Sequence, residues 1–129
     1  MNQDRPEPTE RELQILKVLW QRGEATVREV YEALRDDLPI VQNTVQAFLR
    51  LMEQKGLVSH RLVGRSFVYR ALQAREPTSK NLLSGLLDSV FDGSLDQLVA
   101  SALAVRKPSA QELDRLRALL ADAGKRGKS

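Results

Sequence analysis

Cysteine is absent from the 129 residues, which excludes a disulfide framework, a thiolate zinc knuckle and cysteine-based catalysis. Histidine occurs once, at His60 in a predicted strand, and no acidic partner or second metal ligand is evident near it in the sequence. Met1 and Met52, the two methionines, offer no soft-metal site. There is no glycine-rich phosphate loop and no nucleophile motif, and the adjacent pair Asp36-Asp37 reads as a turn. Aromatic residues are scarce at 5%. No apolar run approaches the ~20 residues that span a bilayer, and no charged-then-apolar leader opens the chain. These absences point away from an enzyme, a cofactor, a metal and membrane insertion, and towards a cytoplasmic protein of one domain or one domain with a small appendage.

Acidic residues are missing from one region in particular. The net charge of +3 hides an uneven distribution: residues 1–40 carry six basic and nine acidic side chains, and residues 76–129 carry eight and seven. Residues 41–75 carry Arg50, Lys55, Arg61, Arg65, Arg70 and Arg75 against Glu53 alone. A positive field focused on one segment is the electrostatic footprint of phosphate binding.

That segment opens with NTVQAFLRLMEQK, residues 43–55. On a helix, Val45, Phe48, Leu49 and Met52 form one apolar stripe at i, i+3, i+4 and i+7. The opposite face offers Asn43, Thr44, Gln46, Ala47 and Arg50, with no carboxylate before Glu53. Amides pair bidentately with adenine and Arg with guanine, while a small Ala or a Thr methyl sits against thymine. An ordinary amphipathic surface helix has the same stripe, so the surrounding elements have to decide.

Three helices are predicted up to Gly56. The first opens at Thr9 with Glu12 three residues on, a capping box, buries Leu13, Ile15, Leu16, Leu19 and Trp20, and stops at Gly23. Thr26 and Glu29 repeat the box for the second, whose apolar face is Val27, Val30, Tyr31 and Leu34. Asn43 and Gln46 have the same spacing at the start of the third, giving a helix-turn-helix with the last helix as the reader. Leu57 to Val63 and Phe67 to Leu72 then read as a β-hairpin around Gly64, with Arg65 and Ser66 at its tip. Three helices and such a hairpin make a winged helix, whose wing brings Arg61, Arg65 and Ser66 to phosphates or a minor groove.

Glu76-Pro77 breaks the pattern, so the expected organisation is a winged-helix domain over residues 1–75 and a helical region with a basic tail over 76–129. The fold class is mainly α. A fourth helix, about Ser79 to Phe91, presents Leu82, Leu83, Leu86, Leu87, Val90 and Phe91. A fifth, capped by Ser94, presents Leu95, Leu98, Val99, Ala102 and Leu103; a sixth, capped by Ser109, presents Leu113, Leu116, Leu119 and Leu120. Residues 1–8 and the terminal GKRGKS read as loose tails. About fifty residues rarely fold alone, and this leucine content exceeds what a lone three-helix layer covers. Packing against a second copy solves both problems and predicts a roughly palindromic DNA site. Folding back onto the N-terminal domain is the competing arrangement.

In this order, TERELQILKVLW, G-x-x-T-V-x-E-V (Gly23–Val30), NTV-x-x-x-L-x-x-M-x-x-K-G-L-V (Asn43–Val58), Gly64-Arg65 with Tyr69, and G-S-L-x-x-L-V (Gly93–Val99) resemble the penicillinase-repressor (BlaI/MecI/CopY) family of bacterial transcription factors over about residues 9–122. The resemblance implies a winged helix that binds operators as a dimer, a C-terminal helical dimerisation region, and repression relieved by a signal. In the β-lactamase branch, a membrane-bound sensor metalloprotease leads to repressor cleavage at an Asn-Phe pair. The matching positions here are Ser101 and Ala102, a departure from that pair. The copper-responsive branch senses through cysteines, which this chain lacks. Where the family often has an aromatic residue before the reading helix, this chain has Gln42.

The site reading places Asn43, Thr44, Gln46, Ala47 and Arg50 in the major groove, beside Gln42, with a phosphate as the alternative partner of Thr44. Thr26 and Arg28 lie at a helix N-terminus that could face the DNA backbone. Arg61, Arg65 and Ser66 serve the wing. The rival is a winged helix that docks proteins, which would be expected to expose large apolar residues on its third helix.

Overall fold

The computed structural model describes residues 7–127, so the expectations for residues 1–6 and for Lys128 and Ser129 lie outside it. The chain divides into two compact units that meet between Ser84 and Gly85. The first contains α1 (Glu10–Arg22), β1 (Ala25–Thr26), α2 (Val27–Leu34), α3 (Gln42–Gln54), β2 (Val58–Val63) and β3 (Ser66–Ala71). Helix α4 (Arg75–Ser89) runs across the division, and α5 (Leu95–Val105) and α6 (Ala110–Gly127) complete the second unit.

Local chemistry starts and stops most of these helices. Thr9 Oγ1 accepts from the Glu12 amide at 3.2 Å while Glu12 Oε1 accepts from the Thr9 amide at 2.9 Å. Thr26 and Glu29 repeat the exchange at 3.1 and 2.8 Å. Both capping boxes satisfy amides that a helix start would otherwise strand. Gly23 ends α1 at φ 86°. At the end of α3, Gly56 takes φ 82°, and the Leu57 amide reaches back to the Met52 carbonyl at 2.9 Å, a Schellman closure.

Ile15, Leu16 and Leu19 from α1, Val30 and Leu34 from α2, Val45, Leu49 and Met52 from α3, and Val58 and Tyr69 from the hairpin form the core. The apolar stripe of α3 therefore faces inward as its periodicity predicts. The sheet is antiparallel in the order β1-β3-β2. Gly64 at φ 62° makes a two-residue turn between Val63 and Ser66, which are register partners. Positive φ at the first turn position matches the right-handed twist of the strands.

Several expectations are corrected. Helix α3 starts two residues early, with Val41 rather than Asn43 as N-cap and no side-chain cap; Asn43 lies inside the first turn, so Asn43 and Gln46 are not a cap and its partner. Ala25-Thr26 forms an unforeseen short strand paired with Val68 and Tyr69. Ser66 belongs to β3 rather than to the tip. Glu76-Pro77 lies in the first turn of α4, where proline is tolerated because an amide there has no helical partner to lose. The basic tail is helical as far as Gly127.

The second unit has a different character. Ser94 Oγ accepts from the Gln97 amide and Ser109 Oγ from the Glu112 amide, at 3.4 and 3.1 Å, so both serines cap as predicted. Arg106 bridges to Glu112 at 2.8 Å, linking the end of α5 to α6. Neither α5 nor α6 has a buried residue. Leu86, Val90, Leu95, Val99, Leu103, Leu119 and Leu120 are all exposed, while Leu87, Phe91, Leu98 and Leu116 are half-buried. In the first unit's part of α4, Leu82 is half-buried and Leu83 exposed. Among the described residues, no helix is long and apolar enough to cross a membrane.

Candidate nucleic-acid interface

With Val45, Leu49 and Met52 buried, the 100° step of the helix turns the other side of α3 outward. Gln42, Asn43, Thr44, Ala47 and Arg50 are exposed and Gln46 is half-buried. The structure thus collects these predicted readers on one helix and leaves them accessible. Because Val41 supplies no capping oxygen and the first turn holds no acidic side chain, the opening amides of α3 have no side-chain acceptor from their own cap. Amides at such an end, with the positive pole of the helix dipole, suit an anion. Leu51 is 47% exposed on the same helix, a feature the stripe did not reveal.

The cations differ in how they are held. Arg65 at the turn forms no ion pair among the described residues, and Arg50 forms none with a carboxylate. Arg61 is engaged with Glu24, at 2.6 Å from Nη2 and 3.2 Å from Nε. That hydrogen bond, with the Arg61 charge, holds the Glu24 carboxyl below its usual range and raises the guanidinium. A phosphate would have to compete with Glu24 for Arg61. Arg28 lies 3.5 Å from Glu32, and the Thr26 hydroxyl serves its own helix as cap. These helix-start residues are available at the surface but already partnered.

Two side-chain pairs tie the reader to its neighbours, and neither is visible in the sequence. Lys55 Nζ, just beyond α3, donates to both oxygens of Glu12 on α1, at 2.8 and 3.0 Å, and Glu12 is 1% exposed. Burial pushes the Glu12 carboxyl up, but the hydrogen bonds from Lys55 and the Thr9 amide, with the Lys55 charge, leave it lowered overall. His60 also corrects the expectation of no acidic partner: its Nδ1 lies 2.7 Å from Glu53 Oε1 and 2.9 Å from Oε2. An ionised carboxylate only accepts, so Nδ1 carries the proton. The His60 ring also lies 4.6 Å from Phe67 and 5.4 Å from Tyr69, centroid to centroid, and burial raises the Tyr69 phenol. Helix α3 is thereby joined to α1 at its end and to the wing along its last turn. Local spacing carries no signal for either pair; only the fold brings the partners together.

Among the described residues, no group of three or more His, Cys, Asp or Glu could hold a metal ion.

The family model for the penicillinase repressor matches residues 8–122. The penicillinase repressor of Bacillus licheniformis is 25% identical over 123 residues, covering 95% of this chain and 96% of that protein. The solution structure of the DNA-binding domain of the repressor BlaI is 28% identical with a TM-score of 0.50, covering 55% of this chain and 87% of that one. The Bacillus licheniformis BlaI monomer in complex with the blaP half-operator is 28% identical at a TM-score of 0.49, covering the same shares of the two chains.

Proposed function

The chain belongs to the penicillinase repressor family, and on that premise we propose that it is a dimeric transcriptional repressor reading a palindromic operator through α3 and the wing. The family places it among DNA-binding regulators rather than enzymes. The observation that carries the reading is the outward face of α3 from Gln42 to Arg50, made of amides, hydroxyl, Ala and Arg with no carboxylate before Glu53. Gln42, Asn43, Thr44, Gln46, Ala47 and Arg50 meet base edges, while Arg65, Ser66 and Arg61 meet the backbone beside them. Thr26 and Arg28 approach a phosphate at the start of α2. The winged-helix domain accounts for DNA contact, and the helices after residue 75 for association.

The dimer reading is supported by α5 and α6, which have no buried residue of their own. Apolar surface of this kind marks an interaction site, and a second copy offers a matching surface by symmetry. We place repression in the cytoplasm and its relief under an inducing signal, with cell-wall stress sensed by a membrane protease as the family precedent. Ser101 and Ala102 are exposed on α5 but helical, so a protease reaches their shared bond only after local unfolding.

The test is a salt titration of binding to DNA upstream of the protein's own gene, with random DNA of equal length as control. Arg50→Ala or Gln46→Ala should cost about 1–3 kcal/mol at one operator position, whereas Arg65→Ala should weaken both DNAs and flatten the salt dependence by about one. Two protomers per site are expected, falling to one in the Val99→Asp/Leu103→Asp variant. Equal losses on both DNAs for every variant would contradict the reader assignment. No binding to either at low salt would favour the protein-docking alternative.

A further inference from the structure

We propose that Leu62 and Phe67 form a nonpolar contact of the wing with duplex DNA, packing on deoxyribose walls of the groove beside the one α3 enters. The inference rests on the DNA-binding reading above and adds to its wing a contact that carries no charge.

Leu62 is 63% and Phe67 46% exposed, and the two are direct register partners across the hairpin. Alternation along β2 and β3 puts them on the same face as Val58 and Tyr69, which are buried in the core, where β2 packs on α3 and β3 on α1. The apolar pair is therefore the outward continuation of the face that packs on the reading helix. It is also braced. The His60 ring fills the step between Tyr69 and Phe67, and Glu53 of α3 holds His60 at 2.7 Å. A floppy exposed side chain loses rotamer entropy on contact, whereas a braced one loses less.

The charge around the pair selects its occupant. Residues 54–75 contain no Asp or Glu; Lys55 and Arg61 are already paired with Glu12 and Glu24, and alternation puts Arg61 and Arg70 on the opposite face of the hairpin, so Arg65 is the cation beside the apolar pair. Arg65 stands at the turn two residues before Phe67 and forms no ion pair among the described residues. A second copy of the same hairpin would bring like charges together. Duplex DNA offers the complementary arrangement: phosphates for the cations, and between them apolar sugar faces that suit Leu and Phe. Such contacts do not depend on base sequence, so they add affinity without adding specificity.

The experiment compares full-length wild type with Leu62→Ser, Phe67→Ser, the double variant, Phe67→Leu and Arg65→Ala. Each is titrated with salt on a mixed-sequence duplex and on the DNA upstream of its gene. The double variant should bind both DNAs about tenfold more weakly or worse, in keeping with the loss of two apolar contacts. Its dependence of log K on log salt should keep the wild-type slope, since no phosphate contact is removed; Arg65→Ala should flatten it by about one. Phe67→Leu should retain most of the binding, and all variants should stay folded at the assay temperature, with a lower thermal midpoint in the Phe67 variants from loss of the His60 ring contact. Wild-type affinity in the double variant would overturn the inference and leave the DNA-binding reading intact. So would a flattened slope, or a loss fully explained by weaker dimerisation in sedimentation. Absence of binding by wild type itself would remove both readings, and is recognisable because no variant would then differ.

Discussion

Replacing Lys55 with methionine should cost more than replacing its partner Glu12 with glutamine, although both substitutions break the same bridge. Glu12 is 1% exposed and receives Lys55 at 2.8 and 3.0 Å and the Thr9 amide at 2.9 Å. Lys55→Met leaves a buried carboxylate with no countercharge and only the Thr9 backbone and side chain as partners. Uncompensated charges of this kind cost about 3–5 kcal/mol; the Lys55 side chain is 25% exposed, so solvent screening puts the expected loss at about 3 kcal/mol. Glu12→Gln keeps an acceptor for the Thr9 amide, removes the charge and lets Lys55 turn to water, for about 1 kcal/mol. The double variant should be more stable than Lys55→Met alone, with a coupling of about 2 kcal/mol.

The pH dependence follows with a definite sign. The folded-state Glu12 carboxyl is lowered, so its stabilising contribution is complete above the unfolded-state value and is lost as pH falls through the folded one. In Lys55→Met only burial and the Thr9 hydrogen bonds remain, and burial, the largest influence, favours the neutral acid. The stability gap between wild type and that variant should therefore be widest at neutral pH and close in acid. Urea unfolding followed by circular dichroism, at fixed protein concentration from about pH 7 down to about pH 4, measures both effects. Additive losses with a gap independent of pH would refute the argument.

Two other substitutions probe smaller features. Trp20 Nε1 donates to the Gln73 carbonyl at 2.8 Å and its ring lies 5.7 Å from the Arg75 guanidinium; Trp20→Phe should cost about 1–2 kcal/mol in urea unfolding, because the carbonyl loses its donor. Asp92, between α4 and α5, has φ 51°, where a side chain is crowded; Asp92→Gly should stabilise by up to about 1 kcal/mol or raise the thermal midpoint correspondingly, and a lower midpoint would argue against strain there.

What could be read from the sequence is what is encoded within a few residues. Thr9/Glu12, Thr26/Glu29, Ser94 and Ser109 act through i, i+3 contacts, and each starts its helix as expected. The stripe of α3 and the turn at Gly64 are equally local. The sequence does not mark the true start of α3, because Val41 has no polar side-chain atom to announce a cap, and Ala25-Thr26 is too short to show a strand pattern. Proline at 77 reads as a breaker unless its place in the first turn is known. The site divides likewise. The outward readers follow from helical spacing, but the engagement of Arg61 by Glu24, of His60 by Glu53 and of Lys55 by Glu12 joins residues 37, 7 and 43 positions apart. Those pairings depend on the assembled fold.

The start of α3 on a valine has a further consequence for anyone who would make this protein more robust. Helices α1, α2, α5 and α6 begin on a hydroxyl that accepts from their own first turn, whereas α3 gives up that stabilisation. A serine at position 41 would be an obvious improvement by stability criteria alone, worth about 1 kcal/mol. It would also offer the first turn an internal oxygen in place of an external anion. At this one position, selection for heat resistance and selection for binding would pull in opposite directions.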